Sequence, residues 1–355
     1  MENYTFSHRT AMKLLIITQI VDSQDSSLGF FHSWIEKMAM YFESVEVICL
    51  YEGVHSLPNN VRVHSLGKEK SGASKFKYAI RFLHLMWHLR STYDSVFIHM
   101  NQEYVLLGGP FWVVLRKKVY LWRNHYAGSF LTRIAGMFCT NVFCTSTHSY
   151  TTRFKNTILM PVGVDLSLFT QQHTEKRPDS ILFLGRMTPS KKPDLLLEAL
   201  VLLSERDIPF TATFCGPTLP EHAVYVEELK QKVRTSSLKN RVTFLDGVPH
   251  EQTASIYASH DIYVNLATSG MFDKTLFEAC SSECLVLATS DDFQKRLGTY
   301  ATPMEETPSG FAKRLEYLLT LPPAEKAHIR AEQMAMAERE DLATLIKKVS
   351  SVILA

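Results

Sequence analysis

Residues 181–200 read ILFLGRMTPSKKPDLLLEAL and join an apolar strand to an amphipathic helix through a basic turn. Residues 181–184 have the continuous apolar character of a buried strand, and the leucines after the lysines recur at helical spacing. A helix N-terminus presents amide donors and a positive dipole end, so Arg186 and Lys191 beside it predict a site for an anion such as a diphosphate. The alternative is a solvated lysine pair at a helix start capped by Ser190.

The composition is that of a globular protein large enough for two domains. The chain has 355 residues, of which 46% are hydrophobic, and a net charge of +2. Residues 1–170 hold 17 Lys and Arg against 11 Asp and Glu, a local charge of +6 that leaves −4 for the remainder. The excess of positive charge predicts that an acidic partner, a membrane surface or an anionic substrate approaches the first half of the chain. The alternative is a basic face that is simply solvated. The overall charge gives no case for nucleic acid.

The cysteines and apolar runs indicate a reducing compartment. Six cysteines lie in or beside apolar runs without CxxC spacing, which predicts reduced core thiols rather than zinc ligands or disulfides, and hence a cytoplasmic protein. The apolar run 14–21 is short, follows polar residues and leads into an acidic loop, so no cleavable signal peptide is predicted. No run reaches the length of a membrane span.

Short apolar runs alternate with amphipathic stretches along the whole chain, which predicts an α/β fold of doubly wound, Rossmann-like domains with parallel sheets. A polar segment at 171–180, QQHTEKRPDS, separates two such series and predicts a domain boundary. The cleft at the carboxyl ends of the two sheets is the expected site. Strands are predicted at 13–18, 45–50, 61–66, 95–99, 118–122, 141–145, 157–160, 181–184, 210–215, 241–245, 261–266 and 284–288. Helices are predicted at 30–41, 76–89, 311–319, 324–339 and 342–354, among others.

Residues 269–280, SGMFDKTLFEAC, predict a second anion site. Gly270 allows a close turn before a helix, and backbone amides in its first turn would form a phosphate nest. Those amides belong to Asp273, Lys274, Thr275 and Leu276. Glu278 lies one turn further, where its two oxygens suit vicinal hydroxyls such as those of a ribose. The alternative is an ordinary solvated glutamate.

Taken together, these stretches resemble the retaining nucleotide-sugar glycosyltransferases of family 4, the group 1 glycosyltransferases, which have the GT-B fold. The resemblance spans nearly the whole chain and rests on the order and spacing of several blocks. It implies a Rossmann-like acceptor domain over 1–170 and a nucleotide-sugar donor domain over 171–341, facing a central cleft, with the helix 342–355 packing back on the first domain. The blocks are KLLIITQIVDSQDSSLGFFHSWIEKMA, MPVGVDLSLF, GRMTPSKKPDLLLEAL, FCGP, VTFLDGV and DIYVNLATSGMFDKTLFEAC.

The resemblance also implies an activity and a donor site. A hexosyltransferase-type enzyme of glycan biosynthesis would move a sugar from a nucleotide sugar to a glycan, lipid-linked or small-molecule acceptor, with retention and with neither a metal nor a cofactor. Arg186 and Lys191 would hold the donor diphosphate, and Glu278 would hold the ribose hydroxyls. Val248, after VTFLDG, would contact the base. Gly29 would let the chain approach the donor phosphate or the acceptor, with a plain helix-start glycine as the alternative.

Histidines of the first half complete the implied site. His125, in YLWRNHYAGS, would orient the donor sugar without acting as a nucleophile, and its alternative is a surface or packing role. His99 and Asn101 follow the fourth predicted strand and are candidates for acceptor contacts, with core packing of His99 as the alternative. His84 and His88 have the i, i+4 spacing of a pair of metal ligands, but no third ligand is apparent, so they are interpreted as helix-face residues.

One position departs from the family pattern, which has a glutamate eight residues before Glu278 where this chain has Gly270. That carboxylate usually lies beside the transferred sugar, so backbone amides or Asp273 would recognise the sugar instead, donor choice would change, or activity would be lost. Because Arg186, Lys191 and Glu278 all remain, an active enzyme is favoured over a catalytically impaired scaffold on the same fold.

Two further interpretations stay open. A dinucleotide-dependent oxidoreductase also has doubly wound domains, but no GxGxxG follows the strands at 13–18 or 181–184. Residues 75–90, KFKYAIRFLHLMWHLR, combine basic and aromatic residues and suggest contact with anionic lipid on the inner face of a membrane. The favoured interpretation of that segment is a core-packed helix with a basic outer face.

Overall fold

The computed structural model describes residues 11–25, 28–70, 74–170, 174–267, 273–297 and 305–355. The chain forms two compact units, one from Met1–Pro161 with Leu342–Ala355 and the other from Val162–Asp341. The sequence places the boundary after residue 170, whereas the units divide nine residues earlier. The reason is that Val162 and Val164 are buried in the core of the second unit, where the Val162 N–H also donates to the Glu340 carboxylate at 2.9 Å.

The first unit contains a seven-stranded parallel sheet in the order β3-β2-β1-β4-β5-β6-β7. Apolar side chains alternate across it, since Leu14 and Ile16 face one core cluster and Leu15 and Ile17 face the other. Its strands are β1 (Leu14–Val21), β2 (Val45–Glu52), β3 (Val61–Ser65), β4 (Ser95–His99), β5 (Lys118–Trp122), β6 (Asn141–Cys144) and β7 (Thr157–Leu159).

Helices cover both faces of this sheet. The helices α1 (Phe30–Met38) and α13 (Leu342–Leu354) pack on one face, together in a single core cluster. On the other face lie α2 (Lys75–His88), α3 (Gln102–Val114) and α4 (Phe130–Phe138). The helix α13 therefore completes the core of the first unit, although it follows the second unit in sequence.

The second unit contains a five-stranded parallel sheet in the order β10-β9-β8-β11-β12. Its strands are β8 (Ser180–Leu184), β9 (Thr211–Cys215), β10 (Val242–Leu245), β11 (Ile262–Asn265) and β12 (Leu285–Ala288). Its helices are α5 (Ser167–Thr170), α6 (Pro193–Glu205), α7 (Ala223–Arg234), α8 (His250–Ala258), α9 (Lys274–Ser281), α10 (Asp291–Leu297), α11 (Pro308–Thr320) and α12 (Pro323–Glu338). Two core clusters lie on opposite faces of the sheet, because Ile181 and Phe183 face one and Leu182 faces the other.

The predicted α/β class with two doubly wound domains is confirmed. Each of the twelve predicted strands is present, with ends that differ by no more than three residues. All six cysteines are buried as thiols, as the sequence predicts. None of the helices in the described part of the chain has the length and apolar character needed to cross a membrane.

Candidate functional site

The candidate site in the second unit is built at the carboxyl edge of its sheet. The strands β8, β9, β10 and β11 are all parallel, so the loops that follow them lie along the same edge. These loops carry Arg186 after β8, Pro217 after β9 and Val248 after β10, while Asn265 ends β11. Residues far apart in sequence therefore meet at one edge.

The loop that carries Arg186 is held against the loop after β9 by backbone contacts. The Gly185 N–H donates to the Cys215 carbonyl at 2.9 Å, and the Met187 N–H donates to the Pro217 carbonyl at 3.1 Å. A Cβ atom added to Gly216 would lie only 1.8 Å from the Gly185 carbonyl oxygen. This close approach requires glycine at position 216 and fixes the backbone on either side of the exposed Arg186 side chain.

Lys191 ends a 3₁₀ turn, Pro189–Lys191, just before α6. The N-cap of α6 is Lys192 in the left-handed conformation (φ 53°), without a side-chain cap, so the predicted capping role of Ser190 is wrong. The Ser190 hydroxyl instead lies 2.9 Å from that of Thr188. The first turn of α6 holds a carboxylate, Asp194, which favours the positive end of the helix dipole.

Lys191 pairs with a carboxylate that lies 82 residues further along the chain. Its Nζ donates to Oδ2 of Asp273 at 2.7 Å, and Nδ2 of Asn265 donates to the same oxygen at 3.1 Å. Burial alone would raise the pKa of the Asp273 carboxyl, but the Lys191 ammonium and the surrounding hydrogen-bond donors hold that pKa below its usual value. Asp273 is therefore an ionised group fixed against the lysine.

The predicted phosphate nest is partly filled by this same carboxylate. Asp273 is the N-cap of α9, and its Oδ1 accepts from the Thr275 N–H at 3.3 Å. The expectation that the amides of the first turn point outward towards a ligand is thus corrected for Thr275. Gly270, the other element of the predicted nest, lies outside the described residues.

Glu278 is not the solvated helix residue of the alternative interpretation. Its side chain is on the inner face of α9, the residue is only 5% exposed, and its Oε2 accepts from the Tyr257 hydroxyl at 3.2 Å. Burial raises the pKa of Tyr257 far above its usual value, so the tyrosine stays protonated and remains a donor. The carboxylate is thereby held in one orientation.

In the first unit, His125 follows β5, and its ring contacts the backbone of its own loop. Its Nδ1 lies 2.9 Å from the Ala127 nitrogen and 3.2 Å from the Ala127 carbonyl oxygen. The Tyr126 ring stacks on it with centroids 4.7 Å apart. These contacts hold the His125 ring in one orientation.

The two residues expected near an acceptor have different surroundings. The His99 ring is buried at 2% exposure, stacks on Phe31 with centroids 3.8 Å apart, and lies 3.2 Å from the Thr18 hydroxyl through Nδ1. These contacts agree with the alternative interpretation, in which His99 packs in the core. Asn101 is half-buried at the N-cap of α3 without a side-chain capping bond.

Gly29, His84 and His88 are the remaining residues singled out from the sequence. Gly29 precedes α1, and a Cβ atom there would lie 2.5 Å from the Asp25 carbonyl oxygen, so a side chain would disturb the loop itself. The rings of His84 and His88 stack on the exposed side of α2. Within the described residues, no group of three or more His, Cys, Asp or Glu is placed to hold a metal ion.

Most of the second unit matches a known protein family. Residues 167–333 match the family model of the glycosyl transferases, group 1. The match contains the Arg186 loop, the Lys191–Asp273 pair and Glu278. These residues therefore all lie within the segment that matches the family model.

Two curated relatives are similar to part of the chain. The lipopolysaccharide core biosynthesis mannosyltransferase LpcC from Rhizobium leguminosarum bv. viciae is 29% identical over 138 residues, which are 36% of this chain and 38% of that protein. The D-inositol 3-phosphate glycosyltransferase of Corynebacterium diphtheriae is 29% identical over 140 residues, 36% of this chain and 33% of that protein. The chain spans about a third of the length of these relatives.

Solved structures show the fold. HepE from Anabaena in complex with UDP matches with a TM-score of 0.76 at 18% identity, over 97% of this chain and 100% of that chain. The complex of HepE with UDP-glucose matches with a TM-score of 0.74. The fold of the chain is thus the GT-B fold of two Rossmann-like domains, as the sequence predicts.

Several polar residues of the candidate site were not singled out from the sequence. Asn265, Tyr257 and Tyr263 are all buried, and the Tyr263 hydroxyl lies 2.7 Å from that of Thr275, which Nδ2 of Asn265 also contacts at 3.0 Å. The signal for Asn265 is its position, since it is the one amide in the strand IYVN and stands at the carboxyl end. The tyrosines carry no comparable signal, because aromatic residues in apolar runs are typical of any core.

Lys274 gives the site a pH-dependent charge. Burial lowers the pKa of its ammonium to about 8, although the carboxylates of Glu278 and Asp165 act in the opposite direction. Between pH 8 and the usual lysine pKa of about 10.4, the unfolded chain binds more protons than the folded one, so this residue makes the protein more stable as the pH rises.

We therefore expect wild type to gain free energy of unfolding relative to Lys274→Met as the pH rises from about 8 to 10. Urea unfolding of both proteins across this range measures the difference. Lys192→Met, which removes an ammonium from the neighbouring loop, is the control for loss of a lysine. A wild-type minus Lys274→Met difference that stays constant with pH would contradict the lowered pKa.

Proposed function

We propose that this protein is a retaining glycosyltransferase, which transfers a hexose from a nucleoside-diphosphate sugar to a glycan, lipid-linked or small-molecule acceptor without a metal ion. The observation that carries the proposal is the Lys191–Asp273–Asn265 cluster beside Arg186, at the carboxyl edge of a sheet that matches group 1 glycosyltransferases. The UDP and UDP-glucose complexes of HepE support a nucleotide-sugar donor.

The cationic groups suit the charge that develops during sugar transfer. When the bond between the anomeric carbon and the diphosphate breaks, its electron pair goes to the diphosphate oxygen, and positive charge develops on the sugar. Lys191 is held by its ion pair with Asp273, and Arg186 stands in a loop whose backbone is bonded to the loop after β9, so both cations would stabilise the leaving group with little backbone rearrangement. The acceptor oxygen then bonds to the anomeric carbon on the face that the diphosphate leaves, which retains configuration.

The nucleoside would be held by the helix α9 and by the loop after β10. Glu278 on α9 has a carboxylate oriented by Tyr257, a suitable acceptor for the two ribose hydroxyls. Val248, after β10, is half-buried against the core of the second unit, and the backbone of its loop would contact the base. His125 would orient the transferred sugar.

The family pattern has a glutamate where this chain has Gly270, and Asp273 would supply a carboxylate in its place. It places an ionised carboxylate against Lys191 and in hydrogen-bonding distance of Asn265. A carboxylate in this place can accept hydrogen bonds from sugar hydroxyls. We therefore propose that Asp273 contributes to recognition of the transferred sugar.

A thermal-shift screen of UDP-, GDP- and ADP-sugars tests the proposal, followed by calorimetric titration of the matching nucleoside diphosphate. We expect one nucleotide class to bind and raise the melting temperature. Product analysis with that donor then tests turnover, and the NMR coupling constant of the anomeric proton tests retention. Activity that persists in EDTA is expected, because the cations of the site are side chains.

Other outcomes separate the competing functions. Nucleotide binding without transfer to any acceptor would favour the catalytically impaired scaffold. Binding of NAD rather than of UDP, GDP or ADP would favour the oxidoreductase. Inversion of the anomeric centre would overturn the proposed stereochemistry while leaving sugar transfer intact.

A further inference from the structure

One layer of the first unit exposes an unusual amount of apolar surface. Of the nineteen large hydrophobic side chains that are exposed in the described part of the chain, ten lie on the helices α2, α3 and α4. In the second unit, exposed residues of this kind occur singly on separate elements, as is normal for a soluble protein. The ten are Phe76, Ile80, Leu83, Trp87, Leu107, Val113, Val114, Phe130, Leu131 and Met137.

On α2 these side chains form a continuous stripe. Phe76, Ile80, Leu83 and Trp87 have the spacing i, i+4, i+7 and i+11, so they fall within about 60° of one another around the helix axis. The buried side chains of α2 form a second stripe that faces the sheet, with Phe82 and Met86 in the core. The exposed stripe is therefore additional to the apolar face that the fold requires.

The stripe continues onto the neighbouring helices. The Trp87 ring lies 5.7 Å from the ring of Phe111 on α3, measured between centroids. On α4, Phe130 and Met137 are exposed one above the other at i, i+7. The three helices thus present their apolar side chains on the same outer layer of the sheet.

The charges around this layer are mostly positive. From residue 75 to residue 90 the chain contains four Lys and Arg, two His and no Asp or Glu. Arg133 on α4 is also exposed, and Glu103 is the one acidic residue within the helices α2, α3 and α4. The Arg90 guanidinium lies 4.5 Å from the Trp87 ring centroid, so a cation accompanies the most amphipathic side chain of the stripe.

We propose that the outer layer formed by α2, α3 and α4 docks on the surface of an anionic lipid bilayer. Exposed aromatic and aliphatic side chains flanked by cations are the features that bind helices in the plane of a membrane interface. Anionic headgroups attract each nearby Lys or Arg, and Trp favours the interface because it has an apolar body and a polar N–H. The proposal commits to a bilayer rather than a protein partner because exposed apolar side chains on all three helices are accompanied by cations on or beside α2 and on α4.

The tryptophans provide a specific reporter of docking. The chain has four, and Trp87 is 58% exposed whereas Trp34, Trp112 and Trp122 are buried. The whole chain would be mixed with phosphatidylcholine vesicles with or without about 30 mol% phosphatidylglycerol. We expect co-sedimentation only with the anionic vesicles, weakened by high salt. Brominated lipids should quench fluorescence in wild type and not in Trp87→Phe.

Substitutions locate the contact. We expect Lys77→Gln to weaken partitioning about fivefold, since one cation at an anionic surface is lost, and Phe76→Ser to weaken it by about tenfold or more. Val224→Ser is the matched apolar control, because Val224 on α7 is 75% exposed and Phe76 is 73% exposed. Lys232→Gln, also on α7, is the charge control. Neither control should alter partitioning.

Other results would overturn the proposal. If Val224→Ser or Lys232→Gln weakened partitioning as much as the α2 variants do, or if the protein bound neutral vesicles as well as anionic ones, α2 and its charge would not direct binding. Protection of Trp87 from acrylamide without lipid, rising with protein concentration, would show that a second copy covers this layer. Nucleotide titration of the same variants keeps the proposed function separate, since it should stay unchanged whether or not lipid binds.

Discussion

Replacing Lys191 with alanine is expected to lower kcat/KM for the nucleotide sugar by about 10²- to 10³-fold. Two effects add. The ammonium that we propose to stabilise the leaving diphosphate is lost, and Asp273 is left as an ionised carboxylate without the partner that lies 2.7 Å away in the structure. That carboxylate would repel the diphosphate. Steady-state kinetics with the donor found by the screen, together with calorimetric titration of the nucleoside diphosphate, measures both effects.

The neighbouring lysine and the partner carboxylate provide controls. Lys192→Ala removes a cation that pairs with Glu306 at 3.1 Å, so it should leave turnover within about threefold of wild type. Asparagine at position 273 keeps a good helix N-cap without the charge. If the stranded carboxylate contributes, Lys191→Ala with Asp273→Asn should bind nucleotide more tightly than Lys191→Ala alone. Unchanged nucleotide affinity in Lys191→Ala would refute the site.

Gly216→Ala is expected to destabilise the second unit by about 3 kcal/mol or more, because the new methyl group would meet a backbone oxygen that cannot move without the loop. A loss of this size lowers the melting temperature of a unit of this length by about 6 to 12 °C. The loop that the methyl group would displace carries Arg186, so nucleotide affinity should fall as well. Thermal unfolding followed by circular dichroism, and titration below the transition, test both parts.

Gly185→Ala isolates the steric part of this effect. Both glycines have φ near 159°, but a Cβ atom at Gly185 would have no heavy atom within 4 Å. Any cost of the backbone conformation is therefore common to the two variants, whereas the collision is specific to position 216. Equal melting temperatures for the two variants would show that the loops separate easily.

The fold was predictable because its signal is repeated many times. Buried parallel strands are short and apolar, and the polar turns that separate them punctuate the sequence, so twelve strands could be placed without knowledge of their order. The boundary near residue 170 was less accessible. Whether residues 162–170 belong to one unit or the other depends on contacts such as that of Val162 with Glu340, which lies 178 residues away.

The sequence predicts the residue types of the candidate site but not their contacts. Arg186, Lys191 and Glu278 stand in motifs within the segment that matches the group 1 family model. Lys191 follows β8 and Asp273 follows β11, two strands that are far apart in sequence. Their pairing depends on how the loops after these strands meet at one edge of the sheet, and no local sequence pattern encodes the distance between the two side chains. The same holds for the Tyr257 hydroxyl on Glu278.

The helix α2 shows why periodicity alone does not identify the buried side. Two apolar stripes run along it, one through Phe82 and Met86 and the other through Phe76 and Trp87. The sequence favours a core-packed helix with a basic outer face, and the structure shows that the outer face is apolar as well. Only the packing of α2 on the sheet decides which stripe is covered.

The position of α13 bears on how the protein is made. Its apolar side chains, among them Leu345, Ile346 and Val349, fill the core between α1 and the first sheet, although the ribosome adds them only after residues 162–341. A nascent chain must therefore hold its first unit incomplete while the whole second unit is synthesised. During that interval Phe31 and Ile35 lack the cover that α13 gives them in the native structure, and exposed apolar surface of this kind favours aggregation.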